Sequence, residues 1–112
     1  MDTKEFKQLL SSYLPKGIVF GKLENYILER INATKEEVIS ELSSLDNLEF
    51  VQKQERKGET RYVLFVVYSK KRGRVYILNF RDDNIRIVTA YPLGRKTLSK
   101  YSKRRFISLG GS

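Results

Sequence analysis

The chain predicts an α+β fold: N-terminal helices packed on a four-stranded antiparallel sheet, followed by a short C-terminal helix. Three observations carry this. Apolar residues recur at three- and four-residue spacing up to Leu45, the helical period. Beyond Leu48 the period changes to two, that of strands. The links between successive apolar runs are short, and short links join strands in antiparallel pairs.

Asp2 or Thr3 can cap a first helix, with Glu5 placed to reach back. Phe6, Leu9, Leu10 and Tyr13 form its apolar stripe, and Pro15 and Gly17 end it. Ile18-Val19-Phe20 is a short apolar run compatible with helix or strand. A second helix is expected from Lys22 to Ile31, with Leu23, Tyr26, Ile27 and Ile31 on one side. Thr34 and Glu37 form a capping box that opens a third helix, whose stripe is Val38, Leu42 and Leu45.

Residues 48–56 mix apolar and polar side chains, as an edge strand does, and Lys57-Gly58-Glu59 reads as a turn. Tyr62 to Tyr68 is almost wholly apolar and reads as a central strand buried on both faces. Ser69 to Gly73 is a cationic hairpin loop. The next strand alternates Val75, Ile77 and Asn79 with Tyr76, Leu78 and Phe80. Arg81 to Asn84 supplies turn residues. The last strand alternates Ile85, Ile87, Thr89 and Tyr91 with Arg86, Val88 and Ala90, and Pro92 and Gly94 are expected to stop it. A short helix with Leu98 and Tyr101 inward follows. Residues 1–108 read as one domain and 109–112 as a disordered tail.

Composition narrows the chemistry. There is no cysteine and no histidine, which removes thiolate metal sites and the commonest metal ligand and neutral-pH acid-base group. No metal and no cofactor are expected. No apolar run is long enough to cross a membrane and the first residues are not those of a signal peptide, so a cytoplasmic protein without a membrane partner is expected. The net charge of +9 is uneven. Residues 1–52 carry six Lys/Arg against nine Asp/Glu, a balance of −3; residues 53–112 carry sixteen against four, a balance of +12. From Arg95 to Arg105, six of eleven residues are basic. Such asymmetry points to a polyanionic partner, RNA or another nucleic acid above all; a solvated surface is the plainer explanation.

The segments LERINA, TKEEVISEL, YVLFVVYSKKRGRVYILNF and IRIVTAY, closed ten positions later by Tyr101, resemble in serial order the BrnT-like branch of the RelE/ParE toxin superfamily, over residues 22–105. The resemblance implies a small basic protein with helices on a curved antiparallel sheet. It further implies a metal-independent ribonuclease toxin that cuts messenger RNA and is silenced by a cognate antitoxin. The histidine that BrnT-like proteins usually carry where the first of their paired helices ends, and the arginine usual where Tyr91 stands, are absent here.

Metal-independent RNA cleavage uses the ribose 2′-hydroxyl as nucleophile. The protein moves two protons and stabilises charge on phosphorus. Arg86, Tyr91 and Arg95 are the catalytic candidates, since arginine forks onto phosphate oxygens and tyrosine can move a proton. Lys70, Lys71, Arg72, Arg74, Lys96, Lys100, Tyr101, Lys103, Arg104 and Arg105 are the nucleic-acid-binding candidates. Each also has a structural reading. Tyr91 can pack a strand end, Tyr101 a core, Arg86 can cover a sheet edge, and the Lys70-Lys71-Arg72 and Lys103-Arg104-Arg105 runs can simply be solvated. Arg30 can pair with Glu29 or Glu24, or point at the sheet. A non-catalytic nucleic-acid-binding module and a module docking an acidic protein partner remain alternatives to the nuclease.

Overall fold

The structure, a computed structural model, describes residues 2–81 and 83–94. The expected C-terminal helix and the candidates Arg95, Lys96, Lys100, Tyr101, Lys103, Arg104 and Arg105 lie outside the described residues.

Three α-helices come first: α1 (Thr3–Tyr13), α2 (Glu24–Ile31) and α3 (Lys35–Ser44). Asp2 caps α1, its carboxylate accepting from the Lys4 amide at 3.0 Å. Thr34 caps α3 through the Glu37 amide at 3.2 Å. The second helix is shorter than its periodicity suggests. A 3-10 turn over Gly21–Leu23 precedes it, and its buried residues are Ile27 and Ile31, whereas Leu23 and Tyr26 face solvent. An eight-residue helix has only about two turns, so the arc it buries is narrow.

The strands are β1 (Ile18–Val19), β2 (Leu48–Arg56), β3 (Glu59–Val67), β4 (Gly73–Arg81) and β5 (Asn84–Leu93). They form one five-stranded sheet in the order β1-β5-β4-β3-β2. The expected four-stranded antiparallel meander is thus present as β2 to β5, but the sheet is mixed. β1 pairs parallel with β5 at Ile18–Ile85 and Val19–Arg86, with the Ile85 amide donating to the Gly17 carbonyl at 2.9 Å. Short links exclude parallel pairing only between consecutive strands; β1 reaches β5 through the whole intervening chain. The Lys57-Gly58 turn is the left-handed two-residue kind that matches strand twist, with φ of 51° and 78°.

Two further expectations about the last strand are corrected. Pro92 does not stop β5, which continues to Leu93 with Arg74 opposite Pro92 and Gly73 opposite Leu93. β1 covers β5 only at residues 85–86, so Pro92 stands on an open edge where no amide is required of it. Nor do Arg86 and Ala90 share a face. Ile87 lies opposite Leu78 and Thr89 opposite Ile77, which leaves Val88 as the extra residue of a bulge. The bulge reverses the alternation: Ile85, Ile87 and Ala90 turn to the helices, and Arg86, Thr89 and Tyr91 to the other face.

The core lies between the helices and one sheet face. Phe6, Leu10, Ile27, Val38 and Leu42 meet Leu64, Val66, Tyr76, Leu78, Ile85 and Ile87, all buried. Each such side chain contributes on the order of 2 kcal/mol by leaving water. An aromatic group ties α1 to the sheet: Phe6 lies 5.4 Å from Tyr62 and 5.9 Å from Phe80, and Tyr13 lies 4.8 Å from Phe80. The other face carries a smaller cluster of Val63, Val75 and Leu93 flanked by Phe65, Val67, Ile77 and Tyr91. β3 is therefore fully buried on its helix side and partly covered on the other, and Tyr68 falls beyond its end.

The bulge is open to test. Ala90 is fully buried against the helices. Ala90→Leu therefore overfills the core and lowers unfolding stability by about 1–3 kcal/mol in urea titrations. Strict alternation from Ile85 would put Ala90 outward, and the same change would then be close to neutral.

Candidate nucleic-acid interface

The first candidate to place is Arg74, at the start of β4. It stands on the helix side of the sheet, beside Tyr76. Its guanidinium donates through one nitrogen to the Glu41 carboxylate of α3 and to the Tyr76 hydroxyl, both at 3.0 Å. Its other terminal nitrogen donates to the Ile31 carbonyl at 3.3 Å, at the C-terminal end of α2. The Tyr76 hydroxyl donates to one oxygen of Glu41 and the Tyr68 hydroxyl to the other. Both members of the Arg74–Glu41 ion pair are only 16% exposed.

This arrangement moves three proton affinities. Burial and the hydrogen bond to Glu41 push the Tyr76 hydroxyl well above its ordinary value, and the same causes raise Tyr68. Burial opposes the charge on Arg74, yet its hydrogen bond to Tyr76 and the fields of Tyr76, Tyr68 and Glu41 hold its pKa above the ordinary arginine value. Arg74 is thus engaged inside the molecule.

The other hairpin cations are placed differently. Lys70, Lys71 and Arg72 are exposed at the tip between β3 and β4 and form no ion pair with a described residue. Their loop is closed by the Tyr68 and Ser69 amides donating to the Arg72 carbonyl. Because Gly73 pairs with Leu93, this tip stands at the sheet end where β5 finishes, beside Tyr91.

Arg86 and Tyr91 both face away from the helix core, but they lie opposite Asn79 and Val75, four residues apart on β4 and so about 13 Å along the sheet. Arg86 forms no ion pair among the described residues. Its guanidinium lies where a side chain on Gly21 would begin, 3.6 Å away, and φ of +73° also favours glycine there. Tyr91 lies under Arg30, whose guanidinium carbon is 5.3 Å from the ring centroid. Gly21 and Arg30 bracket α2, so this helix runs alongside β5 in the same direction, from Arg86 to Tyr91. A seam results: strand residues Arg86, Thr89 and Tyr91 on one side, and α2 with Tyr26 and Arg30 on the other.

The seam joins Tyr91 to the cationic tip at one end and leaves Arg86 at the other. Sequence reasoning weighed Arg30 for a structural role and missed Tyr26 as a site residue. Arg30 pairs with neither Glu29 nor Glu24, the latter being engaged by Lys35 at 3.1 Å. The available signal was the spacing of Ile27, Leu28 and Ile31, which defines a buried arc that excludes Tyr26. Two further arginines of the outer face are engaged, Arg61 with Glu59 at 3.2 Å and Arg81 with Asn79 at 3.3 Å, while Arg56 stands exposed at the β2–β3 turn. Among the described residues no group of acidic side chains, histidines or cysteines could hold a metal ion, and no helix is long and apolar enough to cross a membrane. No protein-family model, no curated protein and no solved structure matches the chain.

Two outcomes separate the engaged from the free cations. Glu41→Ala strands Arg74 in a mostly buried position and lowers stability by about 3 kcal/mol, whereas glutamine at Lys70, Lys71 and Arg72 together changes it by no more than about 0.5 kcal/mol. Both are read from denaturant midpoints. The tyrosines give a pH signature. Their folded pKa values lie above the unfolded value near 10, so the folded state holds more protons at high pH. Their stabilisation is complete below pH 10 and falls as pH rises beyond it, by up to about 1.4 kcal/mol per pH unit for Tyr76 and by less for Tyr68, which is 39% exposed and screened by solvent. The Tyr76→Phe variant loses stability less steeply over the same alkaline range, as thermal midpoints would show.

Proposed function

We propose that this protein binds RNA along the seam between β5 and α2 and across the neighbouring Lys70–Arg72 tip. The observation that carries the reading is a strip of cations without acidic partners among the described residues, exposed at Arg30 and at Lys70–Arg72 and half-buried at Arg86, bordered by aromatic rings. Arg86 stands at one end, Arg30 and the hairpin tip at the other, with Tyr91 and Tyr26 beside them. Phosphates supply most of the affinity for such a strip, and aromatic rings accept bases. Arg74 serves in this reading as the anchor of the helix layer. The serial resemblance to BrnT-like proteins supports the same ligand class.

A metal-independent ribonuclease toxin of the RelE/BrnT type is the second reading, favoured by Arg86 and Tyr91 sharing one sheet face. Their separation argues for binding first. A proton-moving tyrosine and a charge-stabilising arginine must both reach one phosphodiester, and these two side chains engage opposite ends of the seam. An acidic antitoxin would then compete for the same cations.

The test is a titration of labelled single-stranded RNA by anisotropy, in EDTA, at several salt concentrations, with the RNA run on a gel afterwards. The logarithm of affinity is expected to fall linearly with the logarithm of salt concentration. Glutamine at Lys70, Lys71 and Arg72 is expected to reduce that slope by about 2. Affinity that ignores salt would defeat the proposal. Strand scission that persists in EDTA and disappears in Arg86→Ala and Tyr91→Phe would promote the nuclease.

A further inference from the structure

α2 and the 3-10 turn before it show solvent two large side chains that their packing does not use. Leu23 is 53% exposed and Tyr26 57%, and Val19 beside Arg86 is 40% exposed. Arg30 follows Tyr26 by four residues, so the two meet on one helix face, with the guanidinium carbon 5.9 Å from the Tyr26 centroid. The same guanidinium lies 5.3 Å from the Tyr91 centroid. An exposed cation is therefore held between two tyrosine rings, one half-buried at the strand edge and one projecting into water. The acids of this region lie elsewhere: Glu24 pairs with Lys35, and Glu29 lines the cleft between α2 and α3 with Glu37.

We infer that Tyr26 and Arg30 form a subsite for one unpaired nucleobase and its phosphate, which selects single-stranded over duplex RNA. The base stacks on the open Tyr26 ring, Leu23 flanks it, and the Arg30 fork donates to the phosphate. The ring pair holds the fork in place, so it enters binding already positioned. A duplex would leave this subsite empty. Its base faces are covered by stacking, and it offers a protein phosphates, sugars and groove edges. An exposed aromatic ring gains from RNA only where a base is free to stack. The inference rests on the RNA-binding reading of the seam and adds the strand state and the residues that recognise it.

The experiment compares four proteins, the parent, Tyr26→Ala, Tyr26→Phe and Arg30→Gln, against three probes. These are a uridine-rich single strand, a fully abasic strand of the same length, and a duplex of equal length. Tyr26→Ala is expected to weaken single-strand binding about tenfold. Tyr26→Phe should keep parental affinity, because stacking needs the ring and not the hydroxyl. The abasic strand should bind the parent and Tyr26→Ala alike, and the duplex should not distinguish them. Arg30→Gln should lower the salt slope for the single strand by about 0.7. Circular dichroism of each variant confirms the fold, and Tyr26→Phe retains every packing contact of the ring. Parental single-strand affinity in Tyr26→Ala, or an equal loss on duplex, overturns the subsite and leaves seam binding standing. A parent that binds no probe overturns both.

Discussion

Glu41 reaches from α3 to the sheet, where its two oxygens accept from Arg74, Tyr76 and Tyr68. A mostly buried ion pair of this kind adds modestly to net stability, because desolvation offsets much of the attraction. Its directional demands are strict. If α3 slid along the sheet, Arg74 would lose its acid and two tyrosine hydroxyls their acceptor, in a place water scarcely reaches. Arg74 also donates to the Ile31 carbonyl, one of the unpaired groups at the end of α2, where the helix dipole favours a cation. One carboxylate and one guanidinium thus register two helices against the start of β4, while the apolar contacts around them are tolerant of small shifts.

That registration determines what happens at the β5 edge. β1 covers two residues of the strand, and the rest would offer an unprotected row of amides and carbonyls to any other chain. α2, fixed at its C-terminal end through Ile31 and passing Arg86 at Gly21, lies against this edge, and Pro92 blunts its far end. A helix in that position must bury one side against Ile85, Ile87 and Ala90 and leave the other open. Its open side carries Tyr26 and Arg30, with Leu23 just before its start; their exposure follows from edge protection, but the apolar character of Leu23 and Tyr26 does not. That residue of unexplained apolar surface is what a ligand can account for.

Local chemistry was the legible part of the sequence. Asp2 and Thr34 cap the helices as their side chains require, and Lys57-Gly58 turns as its backbone preferences dictate. The stripes of α1 and α3 are buried as their spacing demands. What could not be read depends on distant partners. β1 is two residues long, and only β5, most of the chain away, makes it a strand. The bulge at Val88 leaves the alternating pattern of the sequence intact while reversing the faces it maps to. Arg74 stands among cations in the sequence and beside Glu41 in space, 33 positions away. Of the candidate site, Arg86, Tyr91 and the Lys70–Arg72 tip were legible as a basic and aromatic set. Their division between the two ends of a seam, with Arg30 between tyrosines, was not.

The same distinction governs what the charge asymmetry means. A balance of +12 in the second half suggests one cationic groove, yet a formal charge counts only if its field reaches solvent. Arg61 is engaged by Glu59, Lys53 lies 3.9 Å from Glu55, and Arg74 is engaged by Glu41. Arg56 and Lys57 stand at the β2–β3 turn, on the edge of the sheet remote from β5. Among the described residues, the cations bordering aromatic rings near β5 include one from the acidic half of the chain, Arg30. A net negative balance over residues 1–52 therefore coexists with a cation at the centre of the proposed interface. Its type matters as much as its sign. A planar guanidinium lies against tyrosine rings and still presents donors in a fixed fork, whereas an ammonium in the same place would keep its water and point in no particular direction. The residue that best unites the strand, the helix and a polyanionic ligand is thus one that charge counting by segment would set aside.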